Sequence, residues 1–367
     1  MLSTPYYLID KQKLLKNLET ALYIREKSGA KLLLALKCFA SWGIFDVLSQ
    51  HMDGTTSSSL YEVMLGKEKF GKETHAYSVA YKDSEIDEVL SRCDKIIFNT
   101  ISQLSHFKEK ALRSQKNIGL RINPFVSYSD FILADPSRPF SRLGEWDKNK
   151  IESEINHVNG LMFHNNCENK SFPHFDSMLN HIEKKFGDFI TRVEWVSLGG
   201  GIHFTNENYP IDNFCQRLKE FAQKYAIQVY LEPGEAIVTN TATLEVTVLD
   251  TLVNKKNLVI VDSSVESHVP DLLFFQQSAK ISPNIGSYTA MVCGRSCLAG
   301  DIFGEFNFEN PVQIGDKLSF EDVAGYSIVK KNWFNGINMP SIAVKELNGS
   351  IKTLREFSYD DYHRSLS

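Results

Sequence analysis

Residues 32–37 read LLLALK, five apolar residues stopped by a lysine. The run reads as a short strand with Lys37 at its C-terminal end. Working outward, comparable β-like runs recur: HAYSVA (75–80), KIIFN (95–99), IGLRIN (118–123), GLMFHN (160–165), VEWVSL (193–198) and VYLEPG (229–234), with a weaker MDGTTSS (52–58). The segments between them are often helical in pattern. In 11–28, Leu14, Leu18 and Leu22 fall at i, i+4 and i+8, and in 214–226 Phe214, Leu218, Phe221, Ala222 and Tyr225 line one face. Strands alternating with helices predict βαβ units and a parallel sheet. Eight strands over about 230 residues suit an α/β fold of the TIM type, a (β/α)₈ barrel.

The texture changes after residue 238. TLEVTVLDTLV (243–253), NLVIVDSS (257–264), YTAMVCG (288–294), KLSFEDV (317–323), IAVKEL (342–347) and SIKTLREF (350–357) are β-rich with little helix. They predict a C-terminal all-β domain over 239–367, a sandwich or barrel, after a barrel over 11–238. The stretch 127–146 has no clear period, and a loop of that length in a compact domain is usually functional or mobile.

Composition narrows the function. The 367 residues carry 40 Lys+Arg against 45 Asp+Glu, a net of −5, so no basic surface argues for nucleic acid. The six cysteines include no C-x-x-C pair, which favours a reducing compartment over a disulfide scaffold. The N-terminus lacks the pattern of a signal peptide and no uncharged apolar run is long enough to span a membrane. A soluble cytoplasmic protein is the expectation.

Several residues could do chemistry. Lys37 sits at the barrel end that carries active sites in such folds. Partial desolvation after five apolar residues would favour a nucleophilic amine; on position alone, a strand-end lysine snorkelling to water is the plainer reading. Gly199, Gly200 and Gly201 follow a strand and let backbone N–H groups approach an anion, where a simple turn needs fewer glycines. Glu232, before Pro233, ends the last barrel strand in the same mouth, as a partner for a cationic ring nitrogen or as a structural ion pair. His164 ends GLMFH, where it could stack on a planar ligand or serve only as a rim residue. Cys293 and Cys297 are spaced C-x₃-C, not a usual zinc pair, so no metal is expected. Cys297 could be an exposed acid or a buried structural thiol. The Gly66–Lys72 stretch mimics a nucleotide loop, but Glu73 replaces the hydroxyl that would hold Mg²⁺.

In chain order, TPYYLID (4–10), ALKCF (35–39), SRLG (141–144), FHNNCE (163–168), SLGGG (197–201), EPGE (232–235), GRSCLAGD (294–301) and AGY (324–326) together resemble the motifs of the fold type III pyridoxal-phosphate (PLP) decarboxylases. The resemblance covers nearly the whole chain. It implies an alanine-racemase-like barrel, a β domain joined by an N-terminal strand (1–10), PLP as cofactor, and a homodimer with active sites shared across the interface. It implies PLP bound through Lys37, with His164 on the ring face, Glu232 at the ring nitrogen, Gly199–Gly201 and Tyr326 at the phosphate, Arg121 beneath the ring, Asp53 supporting the site, and Cys297 as proton donor.

Two departures bear on substrate. Glu235 stands where diaminopimelate enzymes carry Arg, and Leu298 where they place an acid after the cysteine. A chain of ammonium groups wants acidic partners. The resemblance therefore points to the branch that decarboxylates carboxynorspermidine and carboxyspermidine, with Glu235, Asp271 and His268 as substrate-binding residues. Decarboxylation of diaminopimelate or another basic amino acid is the alternative. A racemase, or an inactive homologue that binds a partner protein, fits less well, since Lys37, Glu232 and Cys297 are all present.

Overall fold

The computed structural model describes residues 2–367. The chain divides into two units, Asn17–Ile237 and Met1–Lys16 with Val238–Ser367. It opens with strand β1 (Tyr6–Asp10) and the helix Lys11–Ser28. Asp10 Oδ1 accepts from the Gln12 and Lys13 amides, capping the helix start, and Gly29, at φ +75°, ends it. Its stripe of Leu14, Leu18, Ala21 and Ile24 is wholly buried.

Eight parallel strands then close a barrel: β2 (Lys31–Ala35), β3 (Gly54–Ser57), β4 (Glu73–Tyr77), β5 (Lys95–Phe98), β6 (Asn117–Arg121), β7 (Gly160–Met162), β8 (Trp195–Ser197) and β9 (Gln228–Leu231), with β9 pairing back to β2. This is the barrel that the alternating pattern predicts. Leu33, Tyr77, Ile97, Met162, Trp195 and Tyr230 pack as one core cluster. The Trp195 indole takes up the volume that side chains on two neighbouring strands would need. A Cβ at Gly160 would come within 1.9 Å of it, and one at Gly119 within 2.6 Å. Glycine is therefore required at both positions by packing.

The N-terminal end of the barrel is polar. Glu73 binds Lys31 at 3.0 Å, His75 Nε2 at 3.0 Å and the Tyr230 hydroxyl at 2.9 Å, and also pairs with Lys95. Burial alone would raise the Glu73 pKa. Hydrogen bonds from His75 and Lys95, with their charges, outweigh it and hold the carboxyl well below the usual carboxylate range.

The polar run 52–58 does become a strand, β3, buried throughout. Gly54 is needed there because a Cβ would meet the Glu73 carbonyl oxygen at 1.9 Å. The nucleotide-loop mimic is a π-helical turn, Gly66–Phe70, ended by Gly71 at φ +72°. Residues 127–146 contain no strand or α-helix. They are tied to the barrel by Asn99, whose Nδ2 donates to the Arg142 carbonyl (2.8 Å) and whose Oδ1 accepts from the Gly144 amide (2.8 Å).

The second unit is built on a mixed sheet. Its further strands are β10 (Ala242–Asn254), β11 (Lys256–Val261), β12 (Lys280–Ile281), β13 (Tyr288–Cys293), β14 (Ile302–Phe308), β15 (Lys317–Glu321), β16 (Ser341–Lys345) and β17 (Ile351–Arg355). The main path runs β14-β13-β11-β10-β1-β16-β17, with β15 pairing β10 and β12. β1 lies between β10, antiparallel, and β16, parallel, so the first residues of the chain complete this sheet. Short helices at Val265–His268, Asp271–Phe274, Ser327–Lys330 and Tyr359–Leu366 decorate it. The stacked rings of Phe303 and Phe320, 4.2 Å apart, anchor its core. No helix among the described residues is long and apolar enough to cross a membrane.

Candidate active site

In the barrel unit, the C-terminal ends of β2, β7, β8 and β9 bring together the residues that the motifs single out. Lys37 lies two residues past β2, in a turn, and is exposed. The desolvation expected from its apolar neighbours is therefore absent: Leu32–Leu36 turn into the core while the lysine leaves it. Its Nζ stands 3.3 Å from His164 Nε2.

His164 follows β7. The Gly200 amide donates to its Nδ1 at 3.0 Å, which leaves the ring proton of a neutral imidazole on Nε2, facing Lys37. Burial lowers the His164 pKa well below its ordinary value, and the charges of Lys37 and Arg121 lower it further. The ring is thus held neutral and in one tautomer.

The glycines after β8 are a tight cradle. Gly199 and Gly201 adopt φ of +67° and +88°. A Cβ at Gly199 would meet His164 Nδ1 at 2.2 Å, and one at Gly200 the Glu232 carbonyl at 2.1 Å. Both positions therefore require glycine. Glu232, only 4% exposed, follows β9. Its Oε1 accepts from Ser197 Oγ (2.6 Å), its Oε2 from Thr56 Oγ1 (3.2 Å), and its amide donates to the Gly199 carbonyl (2.8 Å). Among the described residues, the partners of its carboxylate in these bonds are hydroxyls.

Arg121, at the end of β6, is buried. It donates to the Tyr77 hydroxyl (2.6 Å) and the His164 carbonyl (3.2 Å), which braces the strand end carrying His164.

Asp53 is placed differently from the expectation. It precedes β3 and forms a bidentate pair with Arg25 (2.6 and 2.8 Å), also accepting from the Leu32 amide. Parallel strands set it at the N-terminal end of the barrel, a strand's length from Lys37, so it does not reach this site.

Two residues passed over in the sequence join the mouth. Glu168 closes the FHNNCE motif and His203 follows the glycines. With Glu235 their ligand atoms all lie within 4.8 Å of one another. Glu168 stood inside a quoted motif and His203 two residues past another, but only the fold shows that they converge.

The sheet unit holds the remaining candidates. Cys297 is exposed, and its amide donates to Asn335 Oδ1 at 2.6 Å. Asp301 clasps the same loop, accepting from the Ser296 and Val265 amides. Tyr326 adopts φ +59°, and Lys330 Nζ lies 4.8 Å from its ring centroid. Lys330 also pairs with Asp271 at 2.5 Å. His268 departs from the expectation of a ligand-binding residue: it is fully buried, with Nδ1 bonded to Ser263 Oγ at 2.8 Å, and offers no surface. The short helix Val265–His268 turns it inward, where burial and the charge of Lys331 push its pKa down to about 3.

Residues 7–324 match the family model "Pyridoxal-dependent decarboxylase, C-terminal sheet domain". The chain is 59% identical, over the whole of both chains, to a carboxynorspermidine/carboxyspermidine decarboxylase of Herminiimonas arsenicoxydans. It is 38% identical to one of Campylobacter jejuni, covering 98% of each chain. Among solved structures it resembles the C. jejuni carboxynorspermidine decarboxylase complexed with norspermidine, with a TM-score of 0.92, 36% identity and coverage of 99% of this chain and 100% of that one. The chain belongs to the pyridoxal-dependent decarboxylase family.

Proposed function

We propose that this chain decarboxylates carboxynorspermidine and carboxyspermidine, giving norspermidine or spermidine and CO₂ in polyamine biosynthesis. The observation that carries the reading is full-length identity of 59% to a decarboxylase of that name. The norspermidine bound by a structural relative supports it.

The residues of the barrel mouth suit PLP. Lys37 supplies an amine, His164 a neutral flat ring, Glu232 a buried carboxylate, and Gly199–Gly201 a backbone cradle in which a Cβ would collide with its surroundings. Bound PLP supplies an electron sink for the pair left behind as CO₂ departs. In our reading Lys37 is the covalent attachment point. Ser197 and Thr56 orient Glu232, which would hold the ring nitrogen protonated. His164, locked by the Gly200 amide, would stack on the ring, and Arg121, which donates to the His164 carbonyl, would brace it. The glycine amides would take the phosphate, a role that the resemblance extends to Tyr326. Cys297 of the partner subunit returns a proton from Sγ to the substrate α-carbon, in a cytoplasmic homodimer with shared sites. Glu235 and Asp271 receive substrate ammonium groups.

A substrate panel scored by CO₂ release tests this. Carboxynorspermidine or carboxyspermidine should be turned over with kcat/KM at least 100-fold above diaminopimelate. Preference for diaminopimelate would overturn the reading.

A further inference from the structure

We propose that Glu168, His203 and Glu235, in the loops after β7, β8 and β9, form a binding site for an ammonium group of the substrate. The proposal rests on the polyamine reading and extends it to two residues with no role so far.

Three loops build the site. Glu168 comes from the loop after β7, His203 from the loop after β8 and Glu235 from the turn after β9. The first two loops are zipped together: the Asn169 amide donates to the Gly201 carbonyl at 2.8 Å, and the His203 amide donates to the Asn169 carbonyl at 2.9 Å. This fixes Glu168 beside His203, with Glu168 at the left-handed φ of +59°.

The cluster brings two carboxylates and an imidazole nitrogen within 4.8 Å of one another. Two like charges so close call for a cation between them. The imidazole makes the same demand independently. His203 is only 7% exposed, and its Nε2 is buried without a hydrogen bond among the described residues. It faces Glu168 Oε2 at 3.4 Å, without hydrogen-bonding geometry. A buried nitrogen left in that state is costly unless a ligand meets it.

An ammonium donates in tetrahedral directions over about 2.8 Å, so its acceptors stand about 4.6 Å apart. The dimensions of the cluster accommodate that.

The test uses PLP-loaded enzyme, with norspermidine as the probe. Glu168→Gln and His203→Asn should each weaken norspermidine binding at least 10-fold by calorimetry while leaving PLP affinity within about two-fold. KM for the carboxylated polyamine should rise more than kcat falls. If wild-type enzyme binds norspermidine and neither variant changes that affinity, the site is refuted and the polyamine reading stands. If the wild type binds no norspermidine, both fall. Zinc or manganese alone is titrated in parallel: one-to-one metal binding lost in both variants, with norspermidine affinity unchanged, would make this a metal site and overturn the proposal.

Discussion

Ser197 Oγ donates to Glu232 Oε1 at 2.6 Å, joining the ends of β8 and β9 inside the barrel mouth. The bond fixes a buried carboxylate in one orientation, and Thr56 on β3 holds its other oxygen. A carboxylate pinned in this way is suited to meeting one ring atom of a ligand and no other.

Glu232→Gln should therefore keep the fold and retain PLP but lose the charge that holds the ring nitrogen protonated. We expect kcat to fall by roughly 10²–10³-fold, the usual cost of removing one preorganised electrostatic partner. Steady-state kinetics at matched PLP occupancy, read by absorbance, check it. A variant with near-normal kcat would remove Glu232 from the chemistry.

Gly160→Ala should destabilise the barrel, since its Cβ would sit 1.9 Å from the Trp195 ring. Overpacking of this kind costs about 1–3 kcal/mol. Denaturant unfolding measures it. Trp195→Phe, which shortens the ring system, should make the same glycine replacement less costly, so a double-mutant cycle should show coupling. Additive effects would mean that the glycine serves something other than the indole.

His268 makes the stability of the sheet unit depend on pH. Burial, with the Lys331 charge, depresses its pKa to about 3 in the folded chain, against about 6.5 unfolded. Between those values the unfolded chain binds more protons. The contribution is complete above about pH 6.5 and is lost as pH falls toward 3, by up to about 1.4 kcal/mol per pH unit. Urea unfolding of wild type and His268→Gln from pH 7 to 4 should show the wild-type advantage shrinking with acid. Parallel profiles would contradict this.

Cys297→Ala should slow product formation or misdirect the proton while PLP stays bound. Asn335→Ala removes the 2.6 Å acceptor of the Cys297 amide and should cause a smaller loss of the same kind, about 10-fold in kcat. Product analysis in D₂O and PLP absorbance separate the two effects. Unchanged turnover and product in Cys297→Ala would take the thiol out of the mechanism.

Much of the barrel is legible because its strands are buried on both faces and read as apolar runs. β3 is the faint one: its Thr55 and Ser57 hydroxyls are buried without partners, so the hydrophobic signal is missing where the strand is real. β14 was hidden for a different reason. Its seven residues include Gly304 at φ +149°, and the GRSCLAGD block before it draws attention to chemistry instead of pairing. The helix Tyr359–Leu366 buries none of its residues, so no apolar stripe announces it. In the site, strand-end position was enough to bring Lys37, His164, Glu232 and the glycines together. Asp53 was implied by the resemblance alone, and its place just before β3 sets it at the opposite end of the barrel, on Arg25. His268 misled because a four-residue helix can turn a polar side chain inward. Glu168 and His203 could be found only once the loops after β7 and β8 were seen to pair.

The account turns on Lys37 as the attachment amine. Borohydride reduction of PLP-loaded enzyme followed by peptide mass spectrometry should place a pyridoxyl group on Lys37 alone, and Lys37→Ala should carry none. A reduced label on a different lysine in the wild-type chain would contradict it.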